Sequence, residues 1–170
     1  FAMRARTNVY WQPASKGAGL AIASKQVGVQ SLIAAYRSLG TRVANLDPIK
    51  RHEKPVIPEL DPSFYGLTEA DMDEVYSASN TYFTQGDTMT LRDMVGALKD
   101  TYCRSIGAEF MHMSDPVAKR WIQQRLESTR GTPTYPAEKK VRILQQLTEA
   151  EGLERFLHTK YVGQKRFSLE

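Results

Sequence analysis

The sequence predicts a mainly α protein: a small multi-helix domain with an extended proline-rich connection, ending in a strand-like run. Three observations carry this. Apolar residues recur at three- and four-residue spacing in five or six short windows, the period of helices with one face turned inward. Several of these windows open on a Ser, Thr, Asp or Pro placed where a helix start needs one. Between residues 40 and 66 the period vanishes and Pro48, Pro55, Pro58 and Pro62 stand in its place, each disfavouring the helical conformation of the residue before it.

Taken in order, residues 1–19 have no period and hold Pro13, Gly17 and Gly19, so they read as a flexible basic arm, with Tyr10 and Trp11 as side chains able to dock. A helix is predicted over about 21–39, with Val29, Leu32, Ile33 and Tyr36 on its apolar face and Gly40 placed to end it. The proline-rich connection follows, and Asp61-Pro62 turns the chain into a helix expected over 69–76 with Thr68 as cap. Thr90 caps a helix over 91–102 whose buried stripe is Leu91, Met94, Val95, Leu98 and Tyr102. Ser114 or Asp115 caps the next, to about Arg130, with Pro116 in its first turn and Val117, Trp121, Ile122 and Leu126 expected inward. After the break GTPTYP, Pro136 opens a helix through Leu147. Thr148 and Glu151 then match the capping-box pattern Thr-x-x-Glu, which predicts a separate last helix carrying Leu153, Phe156 and Leu157. Only RFSLE, residues 166–170, alternates like a strand. The expected organisation is an arm at 1–19, a helical domain at 20–163 and the start of a strand within 164–170.

A length of 170 residues, 41% hydrophobic and 25% charged, suits one globular domain with a modest core. No apolar run reaches the 18 or so residues of a membrane-spanning helix, and no secretory leader is visible. The single cysteine, Cys103, fits a reducing compartment. It reads either as a nucleophile or as a small buried apolar residue, and the absence of a nearby histidine favours packing. The net charge of +4 is unevenly spread: residues 1–54 hold nine Lys or Arg against two acids, whereas residues 55–170 hold fourteen against seventeen. A basic arm can serve nucleic acid or an acidic partner. The cations are scattered, however, and no aromatic-and-arginine groove pattern accompanies them, which argues against nucleic acid.

His52, His112 and His158 are far apart, and no His-x-x-x-His or Cys-x-x-Cys pair supports a metal site. Phosphate-loop, dinucleotide and nucleophile-elbow glycine motifs are absent. One polar pair lies in an apolar context, Glu109 and His112 in GAEFMHM. Three apart, they could meet on a helical turn as an acid–base pair. The alternative, favoured on the residues alone, is a buried polar pair that pins helix packing.

Five blocks occur in order: AYRSLGTRVANLDPI (35–49), LDPSFYGLTEADMDEVY (60–76), TMTLRDMVGALKDTYCRSIGAEFMHM (88–113), KRWIQQRLES (119–128) and LTEAEGLERFLHTKYVGQKRFSLE (147–170). Together they resemble the N-terminal helical region of the thiamine-diphosphate-dependent decarboxylase, the first component of the 2-oxoglutarate dehydrogenase complex. The resemblance covers nearly everything from Gln26 to Glu170, and it implies that residues 164–170 are the start of the parent's first α/β domain. It implies a longer parent enzyme of the citric acid cycle, a homodimer that uses thiamine diphosphate and magnesium. The parent decarboxylates 2-oxoglutarate and passes the succinyl group to a lipoyl arm on the second component. It implies a cytoplasmic location in a bacterium, or the mitochondrial matrix in a eukaryote, with no membrane or nucleic-acid partner.

The family's thiamine motif, a Gly-Asp-Gly with a downstream Asn, is absent from this chain, as are its His-Arg-Gly-Arg segment and its cofactor-activating Glu. No catalytic, cofactor or metal residue is therefore transferred, and the chain alone is expected to be inactive. The positions that match residue by residue are Tyr36, Arg37, Gly40, Ala44, Asp47 and Pro48, then Ile106, Gly107, Glu109, His112 and Trp121. They are expected to set helix packing and docking against the parent's α/β domains. Thr41 stands where the family usually has His. The basic residues near 1–25 read as the remnant of a tether to the rest of the complex. A second reading is a stand-alone helical interaction module. The strand-like RFSLE argues against it, because an unpaired apolar strand invites aggregation.

Overall fold

The structure, a computed structural model, describes residues 16–51, 53–161 and 163, with side chains described from residue 23 onward. Residues 1–15 of the arm expected over 1–19, His52 and the strand expected over 166–170 lie outside them, and residues 16–19 belong to a helix instead. The chain divides into two compact units, residues 1–132 and 133–170. Among the described residues there are four α-helices, four short 3₁₀ turns and one two-stranded antiparallel sheet, so the mainly α expectation holds.

In the first unit, α1 (Lys16–Leu39) runs into a 3₁₀ turn at Gly40–Val43. The helix begins earlier than the expected residue 21. Gly40 does mark its end, but the reason is space rather than a left-handed backbone. A Cβ on Gly40 would stand 2.6 Å from Tyr102 Cβ, so only glycine lets the end of α1 approach the end of α2 this closely. The proline-rich connection then folds into 3₁₀ turns at Pro58–Leu60 and Pro62–Tyr65. Tyr36 on α1 donates its hydroxyl to Leu60 O at 3.0 Å and fastens this stretch to the helix.

The helix expected over 69–76 is not formed. A 3₁₀ turn covers only Glu69–Asp71, and the chain then extends into β1 (Val75–Ser77), which pairs with β2 (Thr88–Thr90) in the register Val75↔Thr90, Tyr76↔Met89. A β-branched residue and an aromatic find a cross-strand partner there, and that non-local pairing outweighs the local helical pattern. Backbone bonds outside the strands continue the tie: Leu91 N–H donates to Glu74 O at 3.1 Å and Arg92 N–H to Met72 O at 2.8 Å.

Two helices complete the unit. α2 (Leu91–Tyr102) is capped by Thr90, whose hydroxyl accepts from Asp93 N–H at 3.2 Å. α3 (Pro116–Ser128) is capped by Asp115, whose side chain accepts from Val117 N–H at 2.8 Å. Val29, Leu32, Ile33 and Tyr36 of α1 meet Leu91, Met94, Val95, Leu98 and Tyr102 of α2 in one buried cluster, closed by Leu67, Tyr76 and Phe110. Every apolar residue expected inward on α1 and α2 is there. On α3 the expectation holds for Ile122 and Leu126, which pack against the cluster. It fails for Val117 and Trp121, which are 74% and 60% exposed. The stripe on α3 is narrow, and Glu127 occupies the inward position beside it.

The second unit contains α4 (Ala137–Lys160), a single helix of 24 residues. The expected break at Leu147–Thr148 does not occur. Thr148 bonds back within the helix, its hydroxyl donating to Leu144 O at 2.8 Å. The capping-box pattern misled because the apolar stripe changes direction there. At about 100° per residue, the face of Ile143, Leu144 and Leu147 and the face of Leu153, Phe156 and Leu157 lie roughly 130° apart. Two short helices would explain that pattern, and so does one helix with two apolar faces.

Candidate functional site

Four polar residues of α1, Lys25, Gln26, Gln30 and Arg37, each fasten part of the 71–80 segment. Lys25 pairs with Asp71. Gln26 acts as a strand would: its Oε1 accepts from Ser77 N–H at 2.9 Å and its Nε2 donates to Ser77 O at 3.2 Å. Gln30 accepts from the Asn80 side-chain amide. Arg37 Nη2 donates to Asn80 O at 2.8 Å. The hairpin is thereby held by side chains that the helical period alone marks only as outward-facing.

The centre of the polar structure is Glu127, fully buried on α3. Its Oε1 accepts from Arg37 Nε at 2.8 Å and from the Tyr102 hydroxyl at 2.7 Å, and lies 2.8 Å from Arg37 Nη2. Its Oε2 accepts from Tyr82 N–H at 3.0 Å. Three helices and the loop after β1 converge on one carboxylate. Burial, and next the Glu127 charge, pushes the Tyr102 phenol far above its ordinary range. With both carboxylate oxygens accepting from donors on other elements, Glu127 is arranged to hold structure.

Asp71 is the second buried carboxylate. It accepts from Lys25 and, at Oδ2, from Thr68 N–H at 2.8 Å and Thr68 Oγ1 at 2.9 Å. The Lys25 ammonium first, then the Thr68 donors, hold its pKa down at about 2. Among the described residues, no buried side-chain nitrogen or oxygen lacks a hydrogen-bond partner.

An open groove of about 510 Å³ lies beside the end of α2, lined by Tyr36, Leu60, Asp61, Lys99, Cys103 and Arg104 among others. Burial pushes the Cys103 thiol up, against the opposing pull of Lys99 and Lys54. A thiol held protonated suits the packing reading of Cys103.

The eleven matching positions separate into two groups. Tyr36, Arg37, Gly40 and Ala44 are buried. Asp47 turns the loop after them, accepting from Ile49 N–H at 3.0 Å and Arg51 N–H at 2.9 Å, with Pro48 exposed beside it. Ile106, Gly107, Glu109, His112 and Trp121 are exposed. The first and second blocks meet at Gly107: a Cβ there would come 2.7 Å from Thr41 Oγ1 and 2.8 Å from Leu46 Cδ1. Asn45 N–H donates to Arg104 O at 2.5 Å in the same place. Both readings of Glu109 and His112 fail. Residues 105–110 form no helix, so the two share no helical turn, and both are exposed, so they are not a buried pair. The residue the sequence reading missed is Glu127. Its only signal was a lone acid on the inward side of α3, one residue from Leu126.

No family model matches the chain. Over 146 residues it is 60% identical to a 2-oxoglutarate dehydrogenase E1 component of Cupriavidus necator, covering 86% of this chain and 15% of that protein. The E1 component of Azotobacter vinelandii is 46% identical over 146 residues, with the same coverage. That of Haemophilus influenzae is 44% identical over 152 residues, or 88% of this chain and 16% of that protein. The chain is homologous to a segment of the 2-oxoglutarate dehydrogenase E1 component. It spans about 15% of the length of these curated relatives.

Thiamine diphosphate and a divalent ion, which the E1 resemblance implies for the parent, do not fit the residues present. Both buried carboxylates, Asp71 and Glu127, are already engaged by a cation and by further donors. Among the described residues no cluster of three His, Cys, Asp or Glu is placed to hold a metal, and no helix is long and apolar enough to cross a membrane. No catalytic step is assigned to this segment.

Proposed function

We propose that this chain is the N-terminal helical part of a bacterial, cytoplasmic 2-oxoglutarate dehydrogenase E1 component. In this reading the parent carries out the thiamine-diphosphate- and magnesium-dependent decarboxylation of 2-oxoglutarate as a homodimer and hands the succinyl group to the lipoyl-bearing second component. The helical segment is a scaffold. Its buried matching residues, Tyr36, Arg37, Gly40 and Ala44, set the packing of α1 on α2. Of the others, half-buried Asp47 and exposed Pro48, Ile106, Gly107, Glu109 and His112 face the parent's α/β domains, and exposed Trp121 stands apart from them on the outer face of α3. The expected division into an arm at 1–19, a helical domain at 20–163 and an α/β start at 164–170 belongs to the same proposal.

The observation that carries the reading is 60% identity sustained over 146 residues. Its test is the intact mass of the protein in its source cells. A band on the order of 100 kDa, the size of a chain with several further domains, supports the scaffold role. A band near the 19.2 kDa of this chain would replace it with a free interaction module.

A further inference from the structure

The outer face of α3 carries a chemistry that the scaffold role leaves unexplained. At about 100° per residue, Val117, Arg120, Trp121, Gln124, Arg125 and Ser128 fall within an arc of roughly 140°, and all six are exposed. The Arg125 guanidinium lies over the Trp121 ring, 5.2 Å from its centroid, which stiffens the indole into a fixed ridge. The only carboxylate within the helix, Glu127, is turned inward onto Arg37. Asp115, at the cap, is bonded to Val117 N–H. Past the helix, exposed Arg130 adds more positive charge. The face therefore presents an aromatic anchor and two arginines with no counter-charge of its own.

We infer that this face binds an acidic segment of a separate protein chain, one that seats an apolar side chain against Val117 and Trp121. Permanent burial inside a larger chain would strip water from Arg120 and Arg125. The apolar faces of α4 are better suited to that role. Trp and Arg are the side chains that dominate separable interfaces. A surface of one charge sign selects a partner of the opposite sign, speeds its approach, and makes binding sensitive to salt.

The test uses the protein at the full length made by its source cells. It is titrated with a synthetic amphipathic peptide of Glu, Asp, Leu and Phe, and with a control in which Lys replaces the acids. The acidic peptide is expected to bind saturably, roughly tenfold more weakly at about 300 mM than at about 50 mM salt. Trp121→Ala and the pair Arg120→Gln, Arg125→Gln should each weaken binding by roughly tenfold or more. Circular dichroism should be unchanged, because the altered side chains are exposed. The inference is overturned if neither peptide binds, if both bind equally, or if Trp121→Ala binds as wild type. It is also overturned if residues 117–128 of the full-length protein are already protected from hydrogen exchange without peptide. In that outcome the rest of the polypeptide or a second copy covers the face.

Discussion

Replacing Glu127 by alanine removes the acceptor that Arg37, Tyr102 and Tyr82 N–H all use. The change leaves a buried guanidinium without its charge partner, a loss of about 3–5 kcal/mol that urea unfolding would read as a lower midpoint. The double variant Arg37→Met, Glu127→Met should be less damaging than Glu127→Ala, because no uncompensated charge is left inside. Equal or greater loss in the double variant would show that the pair contributes more than the cost of leaving it broken. Titration offers a second check on buried polar groups. Asp71 has a folded pKa of about 2, below the ordinary value of about 3.9. The stability it contributes is complete above that ordinary value and is lost as pH falls toward 2. Asp71→Asn should flatten this acid limb. Tyr36 and Tyr102 act at the other end. Burial raises both phenols, so above about pH 10 the unfolded chain releases protons that the folded one keeps, and stability falls. Tyr102→Phe should reduce that alkaline loss.

Two elements show how local pattern and final structure part. For α4, one continuous helix and two capped helices predict opposite results for Thr148→Ala. Loss of an N-cap would cost about 1 kcal/mol. In a continuous helix, alanine is the best former and the change should be neutral or slightly stabilising in thermal unfolding followed at 222 nm. For the meeting of α1 and α2, Gly40→Ala would force its Cβ into Tyr102. Overpacking of this kind costs about 1–3 kcal/mol, and a lower urea midpoint with an unchanged slope would mark it. The hairpin is the third instance. DEVYS reads locally as the tail of a helix, yet becomes β1 because Thr88–Thr90 pairs with it and Gln26 caps its free edge.

For the whole molecule, the scaffold proposal predicts that the 170-residue chain gives no saturable heat with thiamine diphosphate and magnesium in calorimetry. Tight magnesium-dependent binding would sink it, since the motif residues that hold this cofactor in the family are absent from the sequence. The exposed apolar side chains of α4, including Leu144, Leu147, Leu153 and Phe156, also predict concentration-dependent self-association of the isolated chain. Light scattering would check this.

The sequence by itself determined the helical class, the cap at Thr90, a cap at Ser114 or Asp115 that the structure assigns to Asp115, and the facing stripes of α1 and α2, because each rests on residues within a few positions of one another. It also determined the kinship with E1 components, since the matching blocks are read in linear order. Only the tertiary structure decided where polar side chains find partners. Arg37 and Glu127 are 90 residues apart, Gln26 and Ser77 are 51 apart, and no periodicity links them. The same limit hid the hairpin and turned Trp121 outward, because a strand needs its partner and a helix face needs its neighbour before either is inside or outside.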